Sequence, residues 1–407
     1  MNIKTVTVVG ANGTMGKNAV GIFASFGNAK VYMVGRNVEA LQKAADKAVV
    51  SVRAESIRNN LVIATFDQLE KYVSQSDLVF ESVSENIELK KIVATRIASA
   101  LKPDAISCTG TSGLSITDIA EIYPENLRKN FYGVHIFNPP YSMPLCELTA
   151  TKYNDKQTTQ NLKEYLQNTL YRTVVETKDS PAFLGNRIGF FFINSAMQAA
   201  EKYKDCGGID YIDELLGPFT GRAMAPLLTA DFVGLDVHKA IVDNLYKNTS
   251  DYEHNAFVLP TFAEELINKG SKGRKVGIGL YKGKEVFDIA NGNYREKHIY
   301  NFPLVSKMKS YIHDGEYEQA FKQLIADESQ EARIITDFLK RYVEYSVTIS
   351  EEVCNSLQSA DDVMSAGFNW CPPLALYHIL RQCGFQFNLN IDLPESQYDY
   401  RQFFKAK

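Results

Sequence analysis

Short apolar runs alternate with amphipathic stretches along the first 178 residues of the chain. Runs rich in valine, isoleucine and threonine are typical of buried strands, and apolar residues recurring every three or four positions are typical of helices. The pattern predicts strands at residues 3–9, 31–34, 61–65, 77–83, 105–109, 131–134, 145–150 and 173–177. It predicts helices from the end of the first loop to about residue 26, at 38–59, at 88–100 and near 157–167. Strands and helices that alternate with short connections predict an α/β domain with a doubly wound, mostly parallel sheet.

Beyond residue 178 the strand pattern gives way to long helical patterns. Ser180 can cap a helix and Pro181 fits its first turn, so we predict that a helix begins there. Residues 208–235 and 360–385 share one order: an acidic helix start, a glycine-aromatic turn, an apolar helix opened by proline, and a glycine stop. We interpret these stretches as a duplicated helical module. The predicted domains are therefore an α/β domain at 1–178 and two all-α C-terminal domains at 179–285 and 286–407.

A glycine-rich loop joins the first predicted strand to the first helix, an order that a dinucleotide-binding fingerprint requires. Glycines allow a tight turn and a close approach of the backbone to a pyrophosphate, and the helix N-terminus supplies N–H groups. The spacing is GxxGxxG, one residue longer than the usual GxGxxG, and such a loop could also be only a tight turn. Its position favours nucleotide binding by a Rossmann-like domain. The candidate cofactor-binding residues are Gly10, Asn12, Gly13, Thr14, Met15 and Gly16.

The residues after the second strand bear on the choice of cofactor. NAD-binding folds usually carry an acid there, which accepts from the ribose 2′-hydroxyl. This chain has Gly35, Arg36 and Asn37 instead. Because a guanidinium suits a phosphate and no acid repels it, we predict that NADP is preferred, with NAD as the other candidate. The alternative is that Arg36 is only a solvated residue at the start of the next helix.

A hydroxyl, an imidazole and a carboxylate lie within one stretch, residues 109–148, as Ser112, His135 and Glu147. His135 follows the predicted strand 131–134, so it lies at or near the carboxyl end, where open α/β sheets bind ligands. Glu147 has apolar neighbours and is costly to bury without a partner, for which His135 is the obvious candidate. Taken singly, His135 could be a satisfied buried histidine and Ser112 could cap a helix at 116–122.

Composition and charge exclude several classes of partner. Hydrophobic residues make up 45% and charged residues 23% of the 407 residues, and the formal net charge is −4. This balance gives no reason to expect nucleic acid or a membrane surface as a partner. The six cysteines form no CxxC pair and no metal-like cluster, so we expect reduced thiols, a cytoplasmic protein and no metal.

Three motifs resemble the L-3-hydroxyacyl-CoA dehydrogenase family: GVHIFNPPYSMPLCEL at 133–148, DSPAFLGNRI at 179–188 and KGRKVGIGLYK at 272–282. The resemblance covers the chain from residue 1 to about 285. The later repeat resembles the second C-terminal domain of the multifunctional β-oxidation enzymes, and no enoyl-CoA hydratase segment is present.

The resemblance implies an oxidoreductase that interconverts 3-hydroxyacyl and 3-oxoacyl thioesters, with His135 as general acid/base. The family's catalytic serine, histidine, glutamate and asparagine match Ser112, His135, Glu147 and Asn186. Glu85 and Lys90 match positions near the nicotinamide ribose. Singly, Asn186 could be an ordinary polar helix residue, and Glu85 and Lys90 could be a surface pair.

The chain departs from the family pattern at four places. Asn12 is an extra residue in the glycine loop, and the acid after the second strand is missing. Gly110 stands where the family has an asparagine. The segment between the second and fourth strands is shorter than the corresponding segment in the family. In the family, that segment includes a lysine-rich helical arm that contacts coenzyme A.

These departures leave alternatives to the leading hypothesis. The acyl carrier could be CoA, which we favour, or a carrier protein, or the substrate could be a free 3-hydroxy acid. A non-catalytic dinucleotide-binding sensor or scaffold is the alternative from another class. A homodimer is usual in the family, but the second repeat could cover that interface within one chain.

Overall fold

The computed structural model describes residues 1–406. The chain divides into two compact units, one formed by Met1–Phe183 and the other beginning at Leu184. The predicted domain boundaries at 178/179 and 285/286 stay predictions.

The first unit is built on an eight-stranded sheet with the order β3-β2-β1-β4-β5-β6-β7-β8. All neighbouring strands pair in parallel except β6 and β7, which are antiparallel. This arrangement confirms the predicted doubly wound, mostly parallel sheet. The strands are β1 (Thr5–Val9), β2 (Lys30–Gly35), β3 (Leu61–Thr65), β4 (Leu78–Glu81), β5 (Ile106–Thr109), β6 (Phe131–Ile136), β7 (Leu145–Thr149) and β8 (Thr173–Thr177).

Helices cover both faces of this sheet. Successive residues of a strand point to opposite sides, and apolar residues alternate with apolar residues here, so both faces need to be covered. Val8 packs in one apolar cluster with side chains of α1 and α2, and Val9 packs in a second cluster with side chains of α3 and α4. The helices of the first unit are α1 (Thr14–Ser25), α2 (Val38–Val52), α3 (Leu69–Val73), α4 (Ile87–Ala100), α5 (Ile116–Ala120), α6 (Glu125–Arg128) and α7 (Lys156–Glu164).

The second unit is mainly helical, as predicted. Its helices are α8 (Gly185–Lys202), α9 (Ile209–Leu215), α10 (Pro226–Val233), α11 (Leu235–Asn248), α12 (Thr261–Asn268), α13 (Pro303–His313), α14 (Tyr317–Ala326), α15 (Gln330–Val353), α16 (Gln358–Phe368) and α17 (Pro373–Gln382). Aromatic side chains of α8 pack against α15, with the rings of Phe191 and Tyr345 stacked at 3.9 Å between centroids.

The two stretches that were interpreted as a repeat share one capping device. The Asp213 carboxylate, in α9, accepts from the backbone N–H groups of Leu227 and Leu228 at the start of α10. The Asp361 carboxylate, in α16, accepts from the N–H of Leu374 at the start of α17. In both cases an aspartate from the preceding helix satisfies donors of a helix that proline opens, as the interpretation of a duplicated module leads one to expect.

Three short strands within the second unit were not predicted. They form an antiparallel sheet of β9 (Tyr281–Lys282), β10 (Glu285–Asp288) and β11 (Asn293–Glu296). A tight turn at Gly283, whose φ is +60°, joins the first two. Glycine adopts this angle without steric cost, which makes Lys-Gly-Lys the signal for this hairpin.

The helix that was predicted to begin near Pro181 begins at Gly185 instead, so this prediction is wrong. Residues Ala182 and Phe183 have φ angles of +58° and +52°. These angles are left-handed and cannot continue into a right-handed helix. The serine and proline belong to a turn, in which the Phe183 N–H donates to the Ser180 carbonyl at 3.1 Å. Both residue types favour turns as well as helix starts.

Among residues 1–406, no helix combines the length and the apolar character that crossing a bilayer requires. The predicted cytoplasmic location stays a prediction.

Candidate active site

The backbone pairing of β6 and β7 brings His135 and Glu147 together. The two residues are directly opposite in the antiparallel register, so their side chains lie on the same face of the sheet. Nδ1 of His135 lies 2.7 Å from Oε2 of Glu147. The Glu147 side chain is fully buried and His135 is 7% exposed. The partner that the sequence pattern proposed for this buried carboxylate is therefore the residue that it contacts.

This contact sets the chemistry of the imidazole. A buried carboxylate beside Nδ1 favours the tautomer that carries a proton there, so Nε2 is the nitrogen that can accept a proton. The rings of Phe137 and Phe183 lie 4.6 and 5.7 Å from the imidazole, measured between centroids. Burial raises the pKa of the neighbouring Cys146 thiol to about 12, so this thiol stays protonated near neutral pH. The imidazole thus has one nitrogen engaged by a carboxylate and the other in a position to accept a proton.

Ser112 lies in the loop that follows β5, at the carboxyl edge of the same sheet. Its backbone N–H donates to Oε1 of Glu85 at 2.9 Å, and the hydroxyl of Thr111 donates to the same oxygen. The cap of α5 is Ser115, whose hydroxyl accepts from the Asp118 N–H at 3.1 Å. Ser112 is thus not the helix cap that the alternative interpretation proposed.

Glu85 and Lys90 do not form a surface pair. The Lys90 side chain is only 1% exposed, and its Nζ lies 3.5 Å from Oε2 of Glu85. The same Nζ lies 3.0 Å from Oε1 of Glu81, the last residue of β4. The sequence pattern did not single out Glu81, although an acid that ends an apolar strand is a signal of a buried, partnered carboxylate.

The glycine-rich loop holds the start of α1 against the end of β1. A Cβ on Gly16 would lie 2.2 Å from the Gly10 carbonyl oxygen, so no side chain fits at this position. Gly10 itself has a φ of +81°. Within residues 1–406, no side chain caps α1, whose N-cap residue is Gly13. Thr14, Met15 and Gly16 therefore place the N–H groups of the first turn at an open helix N-terminus, which is suited to an anion.

A cleft runs from this loop to the end of β2. It is lined by loop residues, by residues that follow β2 and β4, and by side chains of α4, and it includes Gly10, Asn12, Gly13, Gly35, Arg36, Ser82 and Leu89. Arg36 is exposed, and the next residue, Asn37, caps α2 by accepting from the Ala40 N–H at 2.8 Å. The site therefore fits a dinucleotide in three respects. The helix start is uncapped, the glycine loop has no room for a side chain at Gly16, and a cleft adjoins both.

The extra residue of the loop, Asn12, extends toward the end of β2. Its Oδ1 lies 2.9 Å from the position that a Cβ on Gly35 would take. The insertion thus brings an amide to the place where the usual acid is missing.

Asn186, the fourth predicted catalytic residue, is the second residue of α8 and lies in the second unit. It is 7% exposed. Its contact with a substrate stays a prediction.

Gly110 occupies a place that has no room for the family's asparagine. A Cβ there would lie 2.8 Å from Cζ of Phe80. The ring of Phe80, in β4, thus accounts for this departure.

Comparison with known proteins gives two family models that follow one another along the chain. Residues 5–180 match the model described as 3-hydroxyacyl-CoA dehydrogenase, NAD binding domain. Residues 183–283 match the model described as 3-hydroxyacyl-CoA dehydrogenase, C-terminal domain.

Two curated relatives and one solved structure illustrate the similarity. A probable 3-hydroxyacyl-CoA dehydrogenase of Caenorhabditis elegans is 31% identical over 69% of the chain and 93% of its own length. One from Bacillus subtilis is 28% identical over 75% of the chain, which spans only 38% of that protein. The crystal structure of 3-hydroxybutyryl-CoA dehydrogenase from Escherichia coli K12 matches this chain with a TM-score of 0.71. The match covers 94% of this chain and 95% of the chain in that crystal structure. At 20% identity, that likeness shows the fold alone.

Proposed function

The chain belongs to the 3-hydroxyacyl-CoA dehydrogenase family, and we propose that it interconverts 3-hydroxyacyl and 3-oxoacyl thioesters as a nicotinamide-dependent oxidoreductase. The observation that carries this proposal is the buried hydrogen bond of 2.7 Å between His135 and Glu147 at the edge of a dinucleotide-binding sheet. A sensor or scaffold has no need of a general base, and no observation specifically favours that alternative.

Oxidation of a secondary alcohol removes a proton from oxygen and a hydride from carbon. A bound nicotinamide supplies the acceptor or donor for the hydride. Nε2 of His135 takes the proton of the substrate hydroxyl, and it returns a proton when the reaction runs toward the alcohol. Glu147 holds Nδ1–H, keeps the ring oriented and stabilises the imidazolium that forms.

The remaining predicted residues bind and orient the reactants. The Ser112 hydroxyl hydrogen-bonds a substrate oxygen, which helps to hold the reacting carbon in place. Asn186 keeps the substrate-binding role that the resemblance implies for it. Glu85 and Lys90 lie near the nicotinamide ribose of the bound cofactor. The open N-terminus of α1 receives the pyrophosphate.

The matched domain binds a nicotinamide dinucleotide, and its model is described as NAD binding. We propose that NADP is preferred within this class. Arg36 lines the cleft at the end of β2, and Gly35 and Arg36 stand where an acid would repel a 2′-phosphate. The Asn12 amide reaches the same place with its Oδ1, and the NH₂ group of the same amide is a potential second donor.

The acyl carrier that we propose is coenzyme A, in keeping with the family description. A carrier-protein thioester and a free 3-hydroxy acid are the competing substrates.

The oligomeric state is a separate question, for which the resemblance to the family implies a homodimer. Light scattering on the intact chain distinguishes a homodimer from a monomer.

The test is a side-by-side measurement of initial rates of acetoacetyl-CoA reduction with NADPH and with NADH. Turnover with a clear NADPH preference supports both the activity and the cofactor. Turnover with NADH alone supports the activity and overturns the NADP proposal. Tight cofactor binding without turnover of CoA, carrier-protein or free substrates overturns the activity and favours the sensor.

A further inference from the structure

Glu81 lies at the centre of a buried polar cluster that joins three elements of the first unit. It is the last residue of β4 and is 5% exposed. Its Oε1 accepts from the Val83 N–H at 2.6 Å and from Nζ of Lys90 at 3.0 Å. Its Oε2 accepts from the Thr109 hydroxyl at 2.7 Å and from the same Nζ at 3.1 Å. The carboxylate therefore ties the ends of β4 and β5 to α4.

Two of these contacts connect Glu81 to the catalytic loop, the loop after β5 that carries Ser112. Thr109 is the last residue of β5 and comes three residues before Ser112. Lys90 lies 3.5 Å from Glu85, and Glu85 accepts from the Ser112 N–H. Glu81 is thus connected to the loop both through the strand end and through an ammonium group.

We propose that Glu81 is a positioning residue that fixes Lys90 and, through it, holds Glu85 and the Ser112 loop in their working arrangement. This inference rests on the proposed function, because it gives Glu81 a role in the site where Ser112 and the cofactor act.

The positive charge of Lys90 determines which carboxylates lie next to it in this cluster. The nearly inaccessible ammonium of Lys90 lies between one buried carboxylate, Glu81, and one carboxylate that is 44% exposed, Glu85. A buried cation requires a close anion. With Glu81 neutral, Glu85 becomes the remaining anion near Lys90, and it turns toward Nζ and away from the Ser112 N–H. The catalytic loop then loses an anchor.

A second acid–base pair on the same helix provides the matched control. Nζ of Lys91 lies 3.0 Å from Oε1 of Glu88, and these side chains are 45% and 73% exposed. Exposed pairs contribute little to stability, so neutralising Glu88 tests the loss of one carboxylate beside α4 without the buried network.

The experiment compares Glu81→Gln, Lys90→Met, the double variant and Glu88→Gln in acetoacetyl-CoA reduction, in cofactor binding and in thermal unfolding. Glu81→Gln preserves shape and removes charge. We expect it to lower kcat by about tenfold or more and to raise the cofactor Kd by about fivefold, the size of effect typical of lost positioning. Glutamine keeps an oxygen that can accept from Thr109, so the loss in Glu81→Gln passes through Lys90, and the double variant should be no worse than Lys90→Met. Glu88→Gln should behave as wild type.

Two results would overturn the inference. One is a loss of kcat in the double variant that equals the product of the losses in the two single variants. The other is a lowered Tm in Glu81→Gln with kcat and cofactor Kd unchanged. If Glu81→Gln does not fold, the double variant, which leaves no unpaired buried charge, carries the comparison with Lys90→Met. A larger loss of kcat in the double variant than in Lys90→Met contradicts the inference.

The proposed function can fail separately. If the wild-type chain turns over no 3-oxoacyl substrate, the activity is wrong, and the cofactor titration still decides the role of Glu81. An unchanged cofactor Kd in Glu81→Gln then rejects it. If the wild type is active and Glu81→Gln is equally active, the activity stands and the positioning role is rejected.

Discussion

At the scale of single residues, His135 and Glu147 form a pair whose geometry engages one ring nitrogen with the carboxylate and leaves the other for the proposed proton transfer. Nδ1 is engaged at 2.7 Å. The proton chemistry therefore depends on Nε2, and no other imidazole lies on this strand.

His135→Ala removes the proposed base and leaves the glycine-rich loop untouched. We expect kcat to fall by about a thousandfold, within the range for loss of a general acid–base, while the cofactor Kd changes by less than about twofold. Steady-state rates and a fluorescence titration of the cofactor measure the two quantities. His313→Ala, at a histidine whose side chain is 79% exposed, is the control. Unchanged turnover in His135→Ala would remove the catalytic assignment.

Arg36→Ala tests the cofactor preference. We expect the Kd of NADP to rise by about ten- to a hundredfold, the strength of charge-assisted hydrogen bonds to a phosphate, and that of NAD to change little. Lys43→Ala, at an exposed lysine of α2, controls for a general loss of positive charge. Equal effects of Arg36→Ala on both cofactors would mean that the guanidinium does not contact a 2′-phosphate.

Residues differ in how far the sequence reveals them. Glu147 could be predicted to have a partner, because a carboxylate among apolar neighbours is costly alone. Glu81 is nearly as buried, at 5% exposed, and the same argument gives it a partner, but nothing in the predicted strand 77–83 indicates which residue that is. The contact with Lys90 crosses from a strand to a helix, and sequence spacing alone does not specify such a contact.

At the scale of elements, the start of α1 shows how closely a helix can approach a strand end. The missing side chain of Gly16 allows the helix to lie directly against the Gly10 carbonyl. The same approach places the first-turn N–H groups at the cleft.

Gly16→Ala should force α1 away from the loop. We expect a lower Tm and a cofactor Kd raised by about tenfold or more, because overpacking shifts the backbone groups that bind the anion. Thermal unfolding and cofactor titration measure both effects. Gly217→Ala is the control, since φ at Gly217 is −70° and an added Cβ would meet nothing closer than 3.3 Å. A wild-type Kd in Gly16→Ala would show that this helix start does not bind the cofactor.

Elements with a strong apolar signal were predicted best. β3 (Leu61–Thr65) and β8 (Thr173–Thr177) have the predicted ends, because β-branched residues fill both runs. The helix predicted at 38–59 ends as α2 at Val52, where Arg53 takes a left-handed φ of +54°. The apolar pattern continues past that point, so periodicity could not locate the end. The strands β9 to β11 are short and polar, and they carry no strong alternation.

At the scale of the whole molecule, the chain divides into two units, and only the second contains a tryptophan, Trp370. Its fluorescence therefore reports on the helical unit. This unit also buries His238, whose Nε2 lies 3.0 Å from Oδ1 of Asn194. Burial lowers the pKa of His238 to about 3.

The stability of the helical unit should therefore depend on pH. The pKa of His238 rises on unfolding to its ordinary value near 6.5, so the unfolded chain binds the proton first as pH falls. The contribution of His238 to stability is fully present above about pH 6.5 and declines by about 1.4 kcal/mol per pH unit below it, toward the folded pKa near 3. Burial raises the pKa of Asp213 to about 7 and that of Asp361 to about 6, and these carboxyls act in the opposite sense over the same range. Urea unfolding followed by Trp370 fluorescence at pH 7, 6 and 5 therefore measures the contribution of His238 as the difference between the wild type and a His238 variant.

His238→Gln, whose amide can still donate to Asn194, should reduce that slope by about 1.4 kcal/mol per pH unit. His313→Gln, at an exposed position, should leave it unchanged. An identical slope in wild type and His238→Gln would contradict a buried neutral imidazole.

The change from an α/β to a helical pattern could be predicted from periodicity, because short apolar runs give way to long amphipathic ones. How the two helical repeats pack could not be predicted. Periodicity shows which face of each helix is apolar, but it does not specify the partner that covers that face, such as Tyr345 of α15 against Phe191 of α8.

The antiparallel pairing of β6 with β7 has a consequence for how this site tolerates change. Strand register takes only whole-number values, and a shift by one residue moves every side chain of a strand to the opposite face. A shift by one residue therefore puts His135 and Glu147 on different sides of the sheet, and a shift by two leaves them on one face but no longer directly opposite. A change in the length of the connecting residues 137–144 keeps the pair only where the ladder re-forms in place, and a variant that shifts the ladder by one residue loses the pair completely. Activity among such loop variants should accordingly be nearly all or none, rather than graded.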